Sequence, residues 1–97
     1  MLNSRQRAQL RGLANPINAT FQIGKSGIVE NMVKQINDAL EMHELVKVTV
    51  LENCPLGVRE ACSEMAEATG ADPVQVIGRK FIIYKRSQDN PQIVLVK

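Results

Sequence analysis

The chain has 97 residues, 44% of them hydrophobic and 23% charged, with a formal net charge of +2, which indicates one folded domain and excludes two. Its only aromatic residues are Phe21, Phe81 and Tyr84, so a platform of rings that stack on nucleic-acid bases is excluded as the main binding mode. A single histidine with Cys54 and Cys62 gives neither a zinc pattern nor a disulfide framework, and the longest apolar runs, FIIY and IVLV, are too short for a signal peptide or a membrane span.

The first quarter of the chain predicts a helix followed by a strand. Ser4 is placed to cap a helix that runs to Ala14. Asn15-Pro16 ends this helix, because proline disfavours helical geometry in the residue before it. Residues 17–23, INATFQI, then alternate between apolar and polar side chains. This alternation predicts a strand with one buried face.

The middle of the chain predicts a helix, a strand and a second helix. An apolar period typical of a helix begins at Ile28 and lasts for about four turns. Residues 45–51, LVKVTVL, switch to a period of two and are rich in β-branched side chains, which favours a strand. Asn53 and Pro55 mark the start of the next helix, and Gly70 is placed to end it.

The last third of the chain predicts a hairpin and a tail. Residues 74–78 and 80–85 form two strands that meet at Gly78-Arg79, a tight turn with basic side chains at its tip. Residues 87–97 form a polar tail that ends in one short strand, IVLV. We therefore predict a single compact α-β-α-β-α-β-β domain over residues 1–97, with its core at 2–86. Its four main strands make a mixed sheet packed with helices.

The sequence GKSG, residues 24–27, has one interpretation as part of a nucleotide pocket. Read from Ala19, the stretch ATFQIGKS satisfies the loose form of the phosphate-loop pattern of nucleotide hydrolases. A phosphate loop needs glycines that let successive backbone N–H groups curl around a phosphate. The stretch TFQI has no glycine and alternates as a strand does. The pattern therefore argues against a nucleotide pocket.

The other interpretation of GKSG is a loop that holds a nucleic-acid backbone. Gly24 and Gly27 permit a sharp turn after the strand, and the helix that follows has free N–H groups that attract phosphate. Lys25 would be a mobile charge at the tip, and Ser26 is placed to cap the helix. The spacing GxxG between a strand and a helix is the device of KH domains. A turn with no ligand fits the same pattern.

Two basic segments surround an acidic middle. Residues 1–27 and residues 79–86 contain four basic residues each and no acid, whereas residues 28–78 contain three basic residues and nine acids. Such a distribution predicts a basic patch for a polyanion, provided that the fold brings the two segments together. A solvated charged face with no partner is the alternative.

With these elements in place, the sequence resembles the CRM domain of the bacterial YhbY-like family from Leu2 to Arg86. The stretches that carry the resemblance are QLRGLA, QIGKSGI, ALEMHELVKV and TGADPVQVIGRKFIIYKR. The resemblance implies a fold similar to the C-terminal domain of bacterial translation initiation factor three. It also implies a protein that is not an enzyme and that associates with RNA of large ribosomal subunit precursors. Apart from the resemblance, we expect a cytoplasmic monomer without a cofactor or a metal.

The resemblance further implies which residues contact RNA. They are the loop residues Gly24, Lys25, Ser26 and Gly27, the first-helix residues Arg5, Arg7 and Arg11, and the hairpin residues Arg79, Lys80, Lys85 and Arg86. Ala8 departs from the family pattern, because many relatives carry a basic residue there. A different class of function stays open, in which the acidic second and third helices dock on a basic ribosomal protein. We expect no membrane partner under either function.

Overall fold

The computed structural model describes residues 2–97, which form three helices and four strands. In chain order these are α1 (Ser4–Ala14), β1 (Phe21–Ile23), α2 (Glu30–His43), β2 (Leu45–Val50), α3 (Val58–Thr69), β3 (Asp72–Ile77) and β4 (Lys80–Tyr84). The predicted order of elements and the mixed four-stranded sheet are confirmed. No helix within residues 2–97 combines the length and the apolar character needed to cross a membrane.

The strands lie in the order β1-β2-β4-β3. β1 runs parallel to β2, and β4 runs antiparallel to both β2 and β3. The C-terminal ends of β1 and β2 therefore lie at the same end of the sheet. The β3–β4 turn lies at this end too, because Lys80 pairs with Thr49. We call this the loop end. The opposite end, where Leu45 pairs with Tyr84, is the tail end.

The sheet separates two hydrophobic clusters, because successive side chains of a strand point to opposite faces. One face packs against α2 and α3, and its buried residues include Ile23, Ile36, Val48, Met65 and Phe81. The other face packs against α1 and the C-terminal tail, through residues that include Leu10, Val74, Ile82, Tyr84 and the half-buried Ile93. The molecule is therefore a three-layer α/β domain, with α2 and α3 on one side of the sheet and α1 with the tail on the other.

Several predicted boundaries were wrong. α1 is capped by Asn3 and not by Ser4, since the Asn3 side chain accepts from Gln6 N at 2.8 Å and the Gln6 side chain accepts from Asn3 N at 3.0 Å. This reciprocal pair is a capping box. β1 begins only at Phe21, and α3 begins at Val58 and not near Asn53 or Pro55. Residues 51–57 therefore form a longer loop than the sequence predicts.

The tail contains no strand within residues 87–97, so the predicted strand IVLV is wrong. Side chains of α1 bind its backbone in place of a neighbouring strand. Gln9 Nε2 donates to Val94 O at 2.7 Å, Val96 N donates to Gln9 Oε1 at 2.9 Å, and Gln6 Nε2 donates to Val96 O at 2.9 Å. Ile93 and Leu95 pack against the α1 cluster. These contacts hold the tail in place without a sheet partner.

Two glutamates at the end of α2 bind the start of the tail. Glu44 accepts backbone N–H bonds from Ser87, Gln92 and Ile93 at 2.8–2.9 Å. Burial alone would raise the pKa of the Glu44 carboxyl, but these N–H donors outweigh it and leave the pKa below its ordinary value. Glu41 accepts from the backbone N–H of Gln88 at 2.9 Å, which lowers its pKa as well.

Candidate nucleic-acid interface

GKSG forms a tight turn at the loop end of the sheet. Gly27 N donates to Gly24 O at 2.9 Å, which closes the turn, and Lys25 and Ser26 are exposed at its tip. Gly27 is buried and has a φ of 68°, a left-handed conformation that glycine adopts without strain. β1 ends at Ile23, whose side chain is buried in the core. The residues before the turn therefore belong to the sheet, as the sequence predicts.

The helices that follow β1 and β2 both begin at the loop end without a side-chain cap. The N-cap of α2 is Val29, so the prediction that Ser26 caps this helix is wrong, because Ser26 lies three residues too early. Gly57 is the N-cap of α3 and has no side chain that could cap the helix. The first N–H groups of both helices are therefore left to water or to a ligand. Glu30 and Glu60 lie in the two first turns.

The loop of residues 51–57 supports the GKSG turn from one side. Leu51 N donates to Ile23 O at 2.8 Å, which extends the pairing of β1 with β2 by one bond. A Cβ atom placed on Gly24 would lie 3.4 Å from Leu51 Cδ1, and one on Gly27 would lie 3.5 Å from Pro55 Cγ. Sequence reasoning missed this support, because it assigned Pro55 to a helix start.

The β3–β4 turn brings two predicted cations to the same end of the sheet. Arg79 Nε donates to Val50 O at 3.0 Å, and Val50 N donates to Arg79 O at 2.7 Å. Lys80 is exposed and pairs with Thr49. β1 and β4 are both neighbours of β2, which places them about 10 Å apart. Lys25, Arg79 and Lys80 therefore gather at the loop end.

Lys85 and Arg86 lie at the tail end, separated from Arg79 and Lys80 by the length of β4. Lys85 is half-buried, and its ammonium donates to Thr69 O at 2.8 Å and to Asn37 Oδ1 at 3.0 Å. It thus binds a carbonyl of the last turn of α3, where a cation is favourable. Arg86 is exposed beside a groove of about 340 Å³ that Tyr84 and Pro91 also line. Contact of Lys85 and Arg86 with RNA stays a prediction.

The α1 arginines lie on the helix that covers the tail half of one sheet face. Arg5 and Arg11 are exposed, and Arg7 Nε donates to Pro73 O at 3.4 Å. Pro73 pairs with Ile83, near the tail end of the sheet. The first basic segment is therefore divided, with Lys25 at the loop end and Arg7 near the tail end. The loop end combines Lys25 from the first segment with Arg79 and Lys80 from the second.

A side chain should destabilise the fold more at Gly27 than at Gly24. We expect Gly27→Ala to lower the free energy of unfolding by about 1–2 kcal/mol, because alanine is strained at the φ of Gly27. Gly24 has no positive φ, and a Cβ there makes only close van der Waals contacts. We therefore expect Gly24→Ala to change the free energy of unfolding by less than about 1 kcal/mol. Urea denaturation of both variants measures the difference. Equal losses would contradict this assignment.

Comparison with known proteins supplies the family. The model of the CRS1/YhbY (CRM) domain matches residues 2–85. The chain is 40% identical to the Bacillus subtilis protein YqeI, named a probable RNA-binding protein, over 98% of this chain and 99% of that one. It is 31% identical to a Haemophilus influenzae protein named RNA-binding protein, over 91% of this chain and 89% of the relative.

A solved structure gives the same result. The solution structure of protein SAV1595 from Staphylococcus aureus matches with a TM-score of 0.83 and 48% sequence identity, over 99% of this chain and 100% of that one. The match includes the tail, which lies beyond the 2–85 span of the domain model. From the domain match and the identity to these relatives, the chain belongs to the CRS1/YhbY (CRM) domain family.

Proposed function

We propose that this protein binds RNA through the loop end of its sheet and acts, without catalysis, in assembly of the large ribosomal subunit. The observation that carries the RNA part is the gathering of the GKSG turn, two uncapped helix N termini and the cations Lys25, Arg79 and Lys80 at one end of the sheet. The names of the relatives support RNA as the partner. The ribosomal part rests on the family resemblance.

Binding at this end combines two kinds of contact. The lysine and arginine side chains neutralise phosphates and release counterions, which supplies most of the affinity and makes it depend on salt. The backbone N–H groups of the turn and of the helix starts fix the position of one nucleotide strand. Glu30 and Glu60 lie in the same first turns and repel phosphate. We therefore expect the strand to approach from the Lys25 and Arg79 side of the turn.

The proposal is tested by the salt dependence of RNA binding. Fluorescence anisotropy with a labelled single-stranded RNA should show log affinity falling linearly with log salt concentration. Lys25→Ala should weaken binding and reduce the magnitude of the slope by about 1, because one phosphate contact is lost. The matched control is Lys34→Ala, an exposed lysine of α2, which should leave the slope unchanged. A slope that is flat in the parent protein would refute the electrostatic mechanism.

A second candidate function is docking on a basic protein. The specific observation in its favour is a set of exposed acids on α2 and α3, which comprises Glu30, Asp38, Glu60, Glu64 and Glu67. In this model the acidic helices bind a ribosomal protein and the loop end contacts RNA only incidentally. Charge reversal on the loop end and on the acidic helices separates the two models.

A further inference from the structure

Half of one sheet face is left uncovered beside the GKSG turn. Gln22 pairs with Thr49, Thr49 with Lys80, and Lys80 with Ile77, so these four residues form one row across all four strands. Their neighbours Ile23, Val48, Val50 and Phe81 point into the α2 and α3 cluster. Because side chains alternate, the row points to the opposite face, on the α1 side.

α1 and the tail cover only the other half of that face. Leu45, Val74, Ile82 and Tyr84 are buried under them, toward the tail end. At the loop end, Gln22 and Lys80 are exposed, Thr49 is half-buried, and Ile77 is 50% exposed. The row spans about 14 Å from β1 to β3 at the usual strand spacing. It borders the GKSG turn at Gln22 and the β3–β4 turn at Ile77.

The polar side chains of this surface have no protein partner within residues 2–97. None of Gln22, Thr49 and Lys80 makes a side-chain hydrogen bond to the described part of the chain. The next row adds Lys47 and Gln75, which flank Ile82. Gln75 Oε1 is buried and has no hydrogen-bond partner. A buried acceptor without a partner is unusual in a native fold.

The chemistry of this surface fits a nucleic-acid strand better than a protein. It offers two lysines with amide and hydroxyl groups, while the one carboxylate on the four strands, Asp72, pairs with Tyr84 at the tail end. Ile77 is its single large exposed apolar side chain. Protein interfaces are built around apolar and aromatic cores and are depleted in lysine. A flat polar surface with cations suits phosphates, ribose hydroxyls and base edges.

We propose that the sheet surface formed by Gln22, Lys47, Thr49, Gln75 and Lys80 binds the nucleotides that continue from the phosphate held at the GKSG turn. This inference rests on the proposed RNA-binding function and extends the RNA-binding site from the GKSG turn to the sheet surface. Lys47 and Lys80 contact phosphates. Gln22 and Thr49 exchange hydrogen bonds with ribose hydroxyls or base edges, which gives the surface a means to distinguish RNA from DNA.

RNA oligomers of different lengths distinguish binding at the GKSG turn from binding at the sheet surface. Uridine oligomers of about three nucleotides should reach only the turn, whereas those of about twelve should also cross the sheet. We expect the double variant Gln22→Ala/Thr49→Val to bind the long oligomer about fivefold or more weakly, through loss of two hydrogen-bonding groups, and the short one normally. Lys47→Gln should reduce the salt slope for the long oligomer by about 1.

The matched control removes the same kinds of group from the opposite side of the molecule. Gln35→Ala/Ser63→Ala changes an amide and a hydroxyl that are exposed on α2 and α3, and should bind both oligomers as the parent does. Amide NMR spectra verify that each variant is folded, and chemical-shift changes in the parent should include Gln22, Thr49 and Gln75 with the long oligomer only.

Failure of the sheet inference can be told apart from failure of the proposed RNA-binding function. If Lys25→Ala weakens binding of both oligomers while the sheet variants bind the long one as the control does, the RNA leaves the turn by another route and the sheet inference is wrong. If the sheet variants keep their RNA affinity but lose association with ribosomal particles, the surface docks a protein and the inference is also wrong. If the parent binds neither oligomer, the proposed function itself fails.

Discussion

Glu44→Ala lowers the free energy of unfolding by about 2–4 kcal/mol, a large loss for one polar substitution. The Glu44 side chain is 1% exposed and accepts hydrogen bonds from the N–H groups of Ser87, Gln92 and Ile93. Alanine leaves these donors without their acceptor where the tail meets the sheet. Urea denaturation of the variant and the parent measures the effect. A small domain has only about 5–15 kcal/mol to lose.

Two control variants separate the carboxylate from the backbone. Glu44 ends α2 with a φ of 66°, a left-handed position that normally favours glycine. Glu44→Gly also loses the carboxylate but relieves this strain, so it should be about 1 kcal/mol more stable than Glu44→Ala. Glu67→Ala removes an exposed acid of α3 and should change stability by less than about 0.5 kcal/mol. A Glu44→Ala value equal to that of Glu67→Ala would contradict the proposed role.

The same carboxylate gives the stability a pH dependence of known sign. The pKa of Glu44 in the folded protein is lower than the ordinary value of 4.5. A carboxyl with a lowered folded pKa stabilises the fold fully above its unfolded pKa, and this contribution is lost as the pH falls through the folded pKa. The parent should therefore lose stability below about pH 4.5 more steeply than Glu44→Ala does. Glu41, whose pKa is also lowered, keeps part of the dependence in the variant.

The order of elements could be predicted from the sequence because it depends on local periodicity. The period of two in LVKVTV and the helical period of α2 follow from which face each element buries, and both elements lie within two residues of their predicted bounds. The error in the tail falls where distant side chains decide the structure. The tail lacks a strand because Gln6 and Gln9 bind its backbone. No local pattern reveals that pairing across more than eighty residues.

The candidate site was predictable in its parts and not in its arrangement. GKSG stands out by residue type alone, and its place at the loop end follows once β1 and β2 are parallel. The division of the second basic segment follows from the five residues of β4, which carry the chain from one end of the sheet to the other. That Lys85 binds Thr69 O could not be predicted, because the two residues meet only through packing of α3 on the sheet.

Reversing the charge of Lys25 and Lys80 strongly weakens RNA binding if the loop end is the interface. Lys25→Glu/Lys80→Glu replaces two exposed cations with acids beside the turn, so the variant loses two phosphate contacts and gains two repulsions. We expect affinity to fall by about a hundredfold or more at moderate salt. Arg5→Glu/Arg11→Glu gives the same net charge on α1, and Lys34→Glu/Arg59→Glu gives it on α2 and α3. Anisotropy with one labelled RNA compares all three.

The three double variants distinguish between the models because they differ only in where the charge lies. A loss confined to Lys25→Glu/Lys80→Glu limits the interface to the loop end, whereas an equal loss in Arg5→Glu/Arg11→Glu extends it to α1. Uniform losses in all three would mean that net charge alone drives binding, and the loop-end proposal would fail. Co-sedimentation with large-subunit precursors then tests the docking model. If Glu64→Lys/Glu67→Lys detaches the protein from these particles while the loop-end variant stays bound, the acidic helices are the interface and RNA contact is incidental.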